Sequence, residues 1–184
     1  MDVEEAIRSL RPCYQFQAAP LPPEKLKAVL SAARLSPSQR NLQPWRFVVV
    51  RDDERKRLLA QACSRHKVIG EAPAVIVAFA VEEDIPITVG GYISAYPLDV
   101  AVAVHSLQLA ARSEGLGTAW MIDFNDEKVH AVLGAPPGVH PIAVIPIGFP
   151  LSPPNGSSAP LPPVESDGGR KSPDEIIAYD AYPW

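Results

Sequence analysis

Leu35-Ser36-Pro37-Ser38-Gln39-Arg40-Asn41-Leu42-Gln43-Pro44-Trp45 is a dense polar segment set between two apolar elements. Its Ser, Asn and Gln side chains offer neutral donors and acceptors, Arg40 offers charge, and the two prolines hold the turn. Upstream, Leu26, Val29, Leu30 and Ala33 repeat at helical spacing. That helix opens at Pro23, whose missing N–H is not needed in a first turn, and stops at Ser36-Pro37. Downstream, Trp45–Val50 is a β-branched run short enough for a strand.

Further out, Val3, Ala6, Ile7 and Leu10 predict a first helix ending at Pro12, with Asp2 and Glu5 in capping-box positions. Asp52 or Asp53 caps a helix that runs through Arg57 to Cys63. Ala74–Val81 is continuously apolar, as expected of a strand covered on both faces in the middle of a sheet. Residues 82–97 show no period and are broken by Gly90-Gly91, which reads as a long surface loop or lid. Residues 98–114 are apolar on nearly every side, the pattern of a fully buried helix, and Gly115 and Gly117 close it. A strand over 118–124, a helix over Asp126–Leu133 and a buried strand over 142–147 follow. Beyond Gly148 the chain reads as an extended tail.

The 184 residues are 47% hydrophobic and 21% charged, which fits one domain with a real core. With 17 basic against 21 acidic side chains and no Lys/Arg stripe, nucleic acid is not an expected partner. No stretch approaches the ~20 apolar residues of a membrane span, and Asp2, Glu4 and Glu5 are the wrong charge for a signal peptide. The expectation is a cytoplasmic protein with no membrane partner. Two cysteines, Cys13 and Cys63, are too few for a disulfide framework. Of 21 prolines, six fall between Pro150 and Pro163, which favours an extended crossing. G-x-G-x-x-G, G-x-x-x-x-G-K-[ST] and G-x-S-x-G are all missing. His66, His105, His130 and His140 lack metal-ligand spacing, so no metal is expected.

The polar segment resembles, nearly residue for residue, the P-S-x-x-N-x-Q-P-W stretch of the FMN-dependent nitroreductase family. Several further stretches agree: Glu71-Ala72-Pro73, the run SLQLAARSEGLGTAW ending at Trp120, Ile147-Gly148-Phe149-Pro150, and Arg170-Lys171-Ser172-Pro173-Asp174-Glu175-Ile176-Ile177. The resemblance implies an α+β fold, a mainly antiparallel sheet flanked by helices, in an interlocked homodimer with FMN at the interface. Residues 1–150 would form the FMN-binding domain. Residues 151–184 would be a proline-rich tail of the same domain that wraps the partner subunit, and the helix around Val104 would form much of the dimer core.

By the same resemblance, Arg11 matches the first arginine of an R-S-x-R turn that binds the FMN phosphate, and Arg170 with Lys171 closes over that phosphate. Pro37, Ser38 and Asn41 approach the flavin from the other subunit. Trp120, Met121, Ile122 and Asp123 form the ring cradle, with the backbone N–H groups of Ile122 and Asp123 facing flavin N5 and O4; no side chain is expected to be catalytic. The turn departs from the family pattern as Arg11-Pro12-Cys13-Tyr14, so proline replaces a hydroxyl donor and tyrosine replaces a cation. Losing ~1.4 kcal/mol of preference for an anionic reduced ring lowers a two-electron potential by about 30 mV. Asp123, where a small residue is usual, pushes the same way if its carboxylate faces the ring, and Arg40 of the partner subunit is a possible source of the missing charge.

The implied function is hydride transfer from NADH or NADPH, through FMN, to a small electron-poor acceptor such as a nitroaromatic or a quinone. Tyr92 and Tyr96 are candidate substrate-stacking residues. The alternative, which the altered phosphate turn keeps open, is a flavin- or ligand-binding module of the same fold without NAD(P)H turnover.

Overall fold

Strand β2 (Ala74–Val81) organises the molecule, because every residue but the last is buried. Its side chains alternate between two cores: Ile76, Ala78 and Ala80 point to one, and Val75, Val77 and Phe79 to the other. A strand wrapped on both faces has to be central. It pairs antiparallel with β1 (Trp45–Val50), Trp45 opposite Ala80, and antiparallel with β6 (Val139–Gly148), Ala74 opposite Ile147. The short β5 (Gly117–Thr118) adds to β6, giving the order β1-β2-β6-β5. The sheet belongs to a computed structural model that describes residues 1–64, 66–82, 87–151 and 170–180.

Helices cover both faces. α2 (Pro23–Arg34) and α5 (Tyr96–Ser113) pack Leu26, Val29, Val100, Val104 and Leu107 on the first core. α3 (Asp53–Ala62), α4 (His66–Glu71) and α6 (Asp126–Leu133) pack Leu59, Ile69 and Val129 on the second. The caps follow the sequence: Asp2 accepts from Glu5 N–H at the start of α1 (Val3–Ser9), Asp52 from Arg55 N–H, and Asn125 from Lys128 N–H. Buried Lys56 donates to the Ala72 carbonyl at 2.9 Å and pairs with Asp53, tying α3 to the end of α4.

Several expectations need correction. The 82–97 loop holds a small hairpin, β3 (Thr88–Val89) with β4 (Ile93–Ser94), turned by Gly90 and Gly91 at positive φ. α5 begins at Tyr96 and is not fully buried: Leu98 is 47% exposed, Val102 45%, and His105 is exposed on the same face. The strand expected over 118–124 is regular only at Gly117–Thr118, then continues as isolated bridges from Met121 to Val144 and from Phe124 to Cys63. The six-residue α4 has no counterpart in the sequence reading, and the tail carries a short helix, α7 (Pro173–Ile176), opened by a capping box between Ser172 and Glu175. Pro153, Pro154, Pro160, Pro162, Pro163, Tyr182 and Trp184 lie outside the described residues.

Candidate functional site

Residues 11–17 run as a ribbon beside the outer edge of the sheet. Pro12 bridges Thr118 in parallel, the Cys13 N–H donates to the Thr118 carbonyl at 2.8 Å, and the Gln17 N–H donates to the Phe149 carbonyl at 2.9 Å. Leu151 N–H returns a bond to the Gln15 carbonyl at 2.9 Å. The approach is possible because residue 117 is glycine: a Cβ there would stand 2.6 Å from both Cβ and Sγ of Cys13. From beneath, buried Gln108 of α5 donates to the Thr118 hydroxyl at 3.4 Å.

The ribbon covers the edge only as far as Thr118. Past that point the Ala119 and Met121 N–H groups bond inward to the Pro146 and Val144 carbonyls. The Ile122 and Asp123 N–H groups have no backbone acceptor among the described residues. An edge left open in this way presents main-chain donors to whatever lies beside it. Beside it is a cavity of about 320 Å³ lined by Tyr14, Ser64, Trp120, Met121, Ile122 and Asp123. Sequence reasoning named all of these but Ser64. The end of α3 brings Ser64 in, through the Cys63–Phe124 bridge and a 3.2 Å bond from Ser64 N–H to the Asp123 carbonyl. No local pattern announces a residue delivered by such a distant pairing.

Two buried thiols stand behind the cavity. Burial pushes the Cys63 thiol up to about 11, with the Asp123 carboxylate adding to the effect. Burial also raises Cys13, the larger effect, against a backbone hydrogen bond at Gln15 that lowers it. Both are protonated at neutral pH and therefore poor nucleophiles.

The other predicted site residues lie elsewhere on the subunit. Arg11 turns back to donate to the Leu10 carbonyl at 2.6 Å and does not line the cavity. Arg170 and Lys171 are exposed ahead of α7. Pro37, Ser38 and Asn41 sit on the polar loop, where Gln39–Asn41 form a 3-10 turn. Arg40, Asn41 and Gln43 there have φ of 49°, 59° and 52°. A left-handed conformation costs a residue with a side chain about 1–2 kcal/mol, so this loop is held in its shape by its surroundings. Tyr92 is 78% exposed with its ring against Gly90, while Tyr96 stacks on His140 with centroids 6.1 Å apart. Neither tyrosine borders the 120–123 cavity.

The open edge and its cavity can bind a flat group that accepts hydrogen bonds along one side. Comparison with known proteins places the fold. The nitroreductase family profile matches residues 7–66 and 60–149. A protein of Methanothermobacter thermautotrophicus named as an NADH dehydrogenase/NAD(P)H nitroreductase is 31% identical over 160 residues, covering 84% of this chain and 80% of its own. A nitroreductase family protein of Clostridium novyi superposes with a TM-score of 0.79 at 29% identity, over 83% of this chain and 87% of its own. One from Clostridium difficile does so with 0.84 at 24% identity, over 99% and 100%. With its antiparallel four-stranded sheet, its two helical layers and this match over most of its length, the chain belongs to the nitroreductase family.

Proposed function

We propose that the chain is an FMN-dependent oxidoreductase that carries hydride from NADH or NADPH to a small electron-poor acceptor, a nitroaromatic or a quinone. FMN dependence is general to the family, and NAD(P)H appears in the name of the M. thermautotrophicus relative. One observation carries the reading: the Ile122 and Asp123 N–H groups, which have no backbone acceptor among the described residues, border a cavity that Tyr14 and Trp120 also line. The flavin, when bound, supplies the hydride chemistry, so the protein needs no side-chain acid or base of its own.

The residues contribute binding and electrostatics. The Ile122 and Asp123 N–H groups stabilise negative charge gathering on the ring edge, as an oxyanion hole does. Arg11, Arg170 and Lys171 provide the charge for a phosphate, which carries about −1.5 to −2 at neutral pH. Pro37, Ser38 and Asn41 reach the flavin of a second copy, which makes the functional unit a homodimer. Leu98 and Val102 on one face of α5, with Leu35 70% exposed on the nearby loop, form the apolar surface that a second copy would cover. The protonated Cys63 keeps a thiolate, which would add to a quinone, away from the cavity.

The purified protein should be yellow, bleach when NADH or NADPH is added anaerobically, and recolour with a nitroaromatic or quinone. Bound flavin that never bleaches would leave a binding module, and a protein unable to take up FMN would refute both.

A further inference from the structure

The polar loop keeps three non-glycine residues left-handed and is tied both within itself and to the elements around it. At its entrance the Ser36 hydroxyl donates to Ser106 of α5 at 2.9 Å, and Ser106 donates in turn to the Val102 carbonyl. At its exit the Arg46 guanidinium donates to the Gln43 and Trp45 carbonyls, and Val81 N–H donates to the Pro44 carbonyl at 2.8 Å. Within it, Asn41 N–H donates to the Ser38 carbonyl at 3.0 Å, Leu42 N–H to the Gln39 carbonyl at 3.1 Å, Gln43 N–H to the Ser38 hydroxyl at 3.0 Å and Gln43 Nε2 to the Asn41 carbonyl at 3.1 Å.

The middle of the loop has one outside hold among the described residues: Gln39 N–H donates to the Asp99 carboxylate at 3.0 Å. Asp99 stands in the first turn of α5, where the unsatisfied N–H groups of the helix favour a negative charge. Gln39 immediately precedes the left-handed pair Arg40-Asn41, so the bond fixes the point where the backbone reverses hand. Gln39, Leu42, Pro44, Tyr96 and Asp99 come together around a small space of about 30 Å³. This is a packed joint between loop and helix.

We propose that Asp99 is a positioning residue: its carboxylate, through the Gln39 N–H, holds the left-handed bend that presents Ser38 and Asn41 to the flavin of a second subunit. The inference rests on the flavin reading above. Alanine at 99 removes the acceptor, and the bend is then free to relax toward right-handed conformations; asparagine keeps an oxygen in place and gives up only the charge.

The test compares wild type, Asp99→Ala and Asp99→Asn as full-length proteins by FMN titration, thermal melting and amide hydrogen exchange. Asp99→Ala should raise the FMN dissociation constant tenfold or more and speed exchange within residues 39–43, with little change in exchange across β2. Asp99→Asn should recover most of the affinity. Equal FMN affinity in wild type and Asp99→Ala overturns the inference, as does a loss that Asp99→Asn does not relieve. Should Asp99→Ala fail to fold, wild type alone decides. Its Gln39 amide must exchange at least tenfold more slowly than that of Arg40, which has no acceptor among the described residues, and equal rates overturn the clamp. A wild-type protein that takes up no FMN refutes the flavin reading instead.

Discussion

Arg11 and Tyr14 stand three positions apart on the ribbon, yet only Tyr14 faces the cavity. An arginine that reaches a phosphate must leave the Leu10 carbonyl, exchanging a neutral acceptor for a charged one, and that exchange is favourable. Arg11→Ala and Arg170→Ala should therefore each weaken FMN binding roughly ten- to a hundredfold, the range for losing a hydrogen bond to a charged group; unchanged flavin retention on gel filtration would reject the assignment. At Tyr14 the direction reverses. Tyr14→Arg puts a cation into a lining whose charged side chain is Asp123, so the flavin midpoint potential should rise by about 30 mV or more, measured by dye equilibration. Cys63 makes a prediction of its own. The buried thiol holds its proton up to about pH 11, whereas an unfolded one releases it near 9, so the unfolded state binds fewer protons between those values. Stability must fall as pH rises through that window, and more steeply than in Cys63→Ala; parallel urea-unfolding curves across the window would contradict it.

Elements with a long period were legible. α2, β1, β2 and α6 lie where the spacing of Leu26 to Ala33, the run at Trp45, the apolar block from Ala74 and the pattern over Asp126–Leu133 place them. Short elements were not. The β3–β4 strands are two residues each, and α4 is six, too short to establish a period. The 118–124 run is β-branched and aromatic enough to read as one strand, but pairing with both β6 and the end of α3 divides it into bridges. Of the candidate site, the run from Trp120 to Asp123 was singled out through the family resemblance, and it lines the cavity. Ser64, Asp99 and the left-handed bend were not, because each depends on contacts between distant parts of the chain. Gly117 belongs at this scale, since it lets the ribbon meet the edge. Gly117→Ala should destabilise the fold by about 1–3 kcal/mol, the usual effect of overpacking. Adding Cys13→Ala should recover only part of that, because the Cys13 Cβ lies as close as the sulfur; the urea midpoints of the two variants check it.

In the whole molecule, the apolar face of α5 and the tail beyond Pro150 raise one question, what covers the exposed surface. Leu98 and Val102 lie bare on one subunit, and Ile176, Ile177 and Tyr179 of the tail are exposed as well. If the chain works as the flavin-binding homodimer proposed above, a cut after Pro150 should lose dimer and flavin together in sedimentation experiments, since it removes both the apolar tail and Arg170-Lys171. A truncated dimer still holding flavin would reduce the tail to a linker. The ribbon has a consequence for how the chain is made. Tyr14 leaves the ribosome early, but its neighbours across the cavity are 120–123, and Gln17 binds Pro150, which lies 133 positions further along. Contacts so far apart in sequence form late, so nascent protein shorter than about 150 residues can hold helices and a partial sheet but has no finished pocket. A ligand of that cavity can therefore be loaded only once the chain has been made past Pro150.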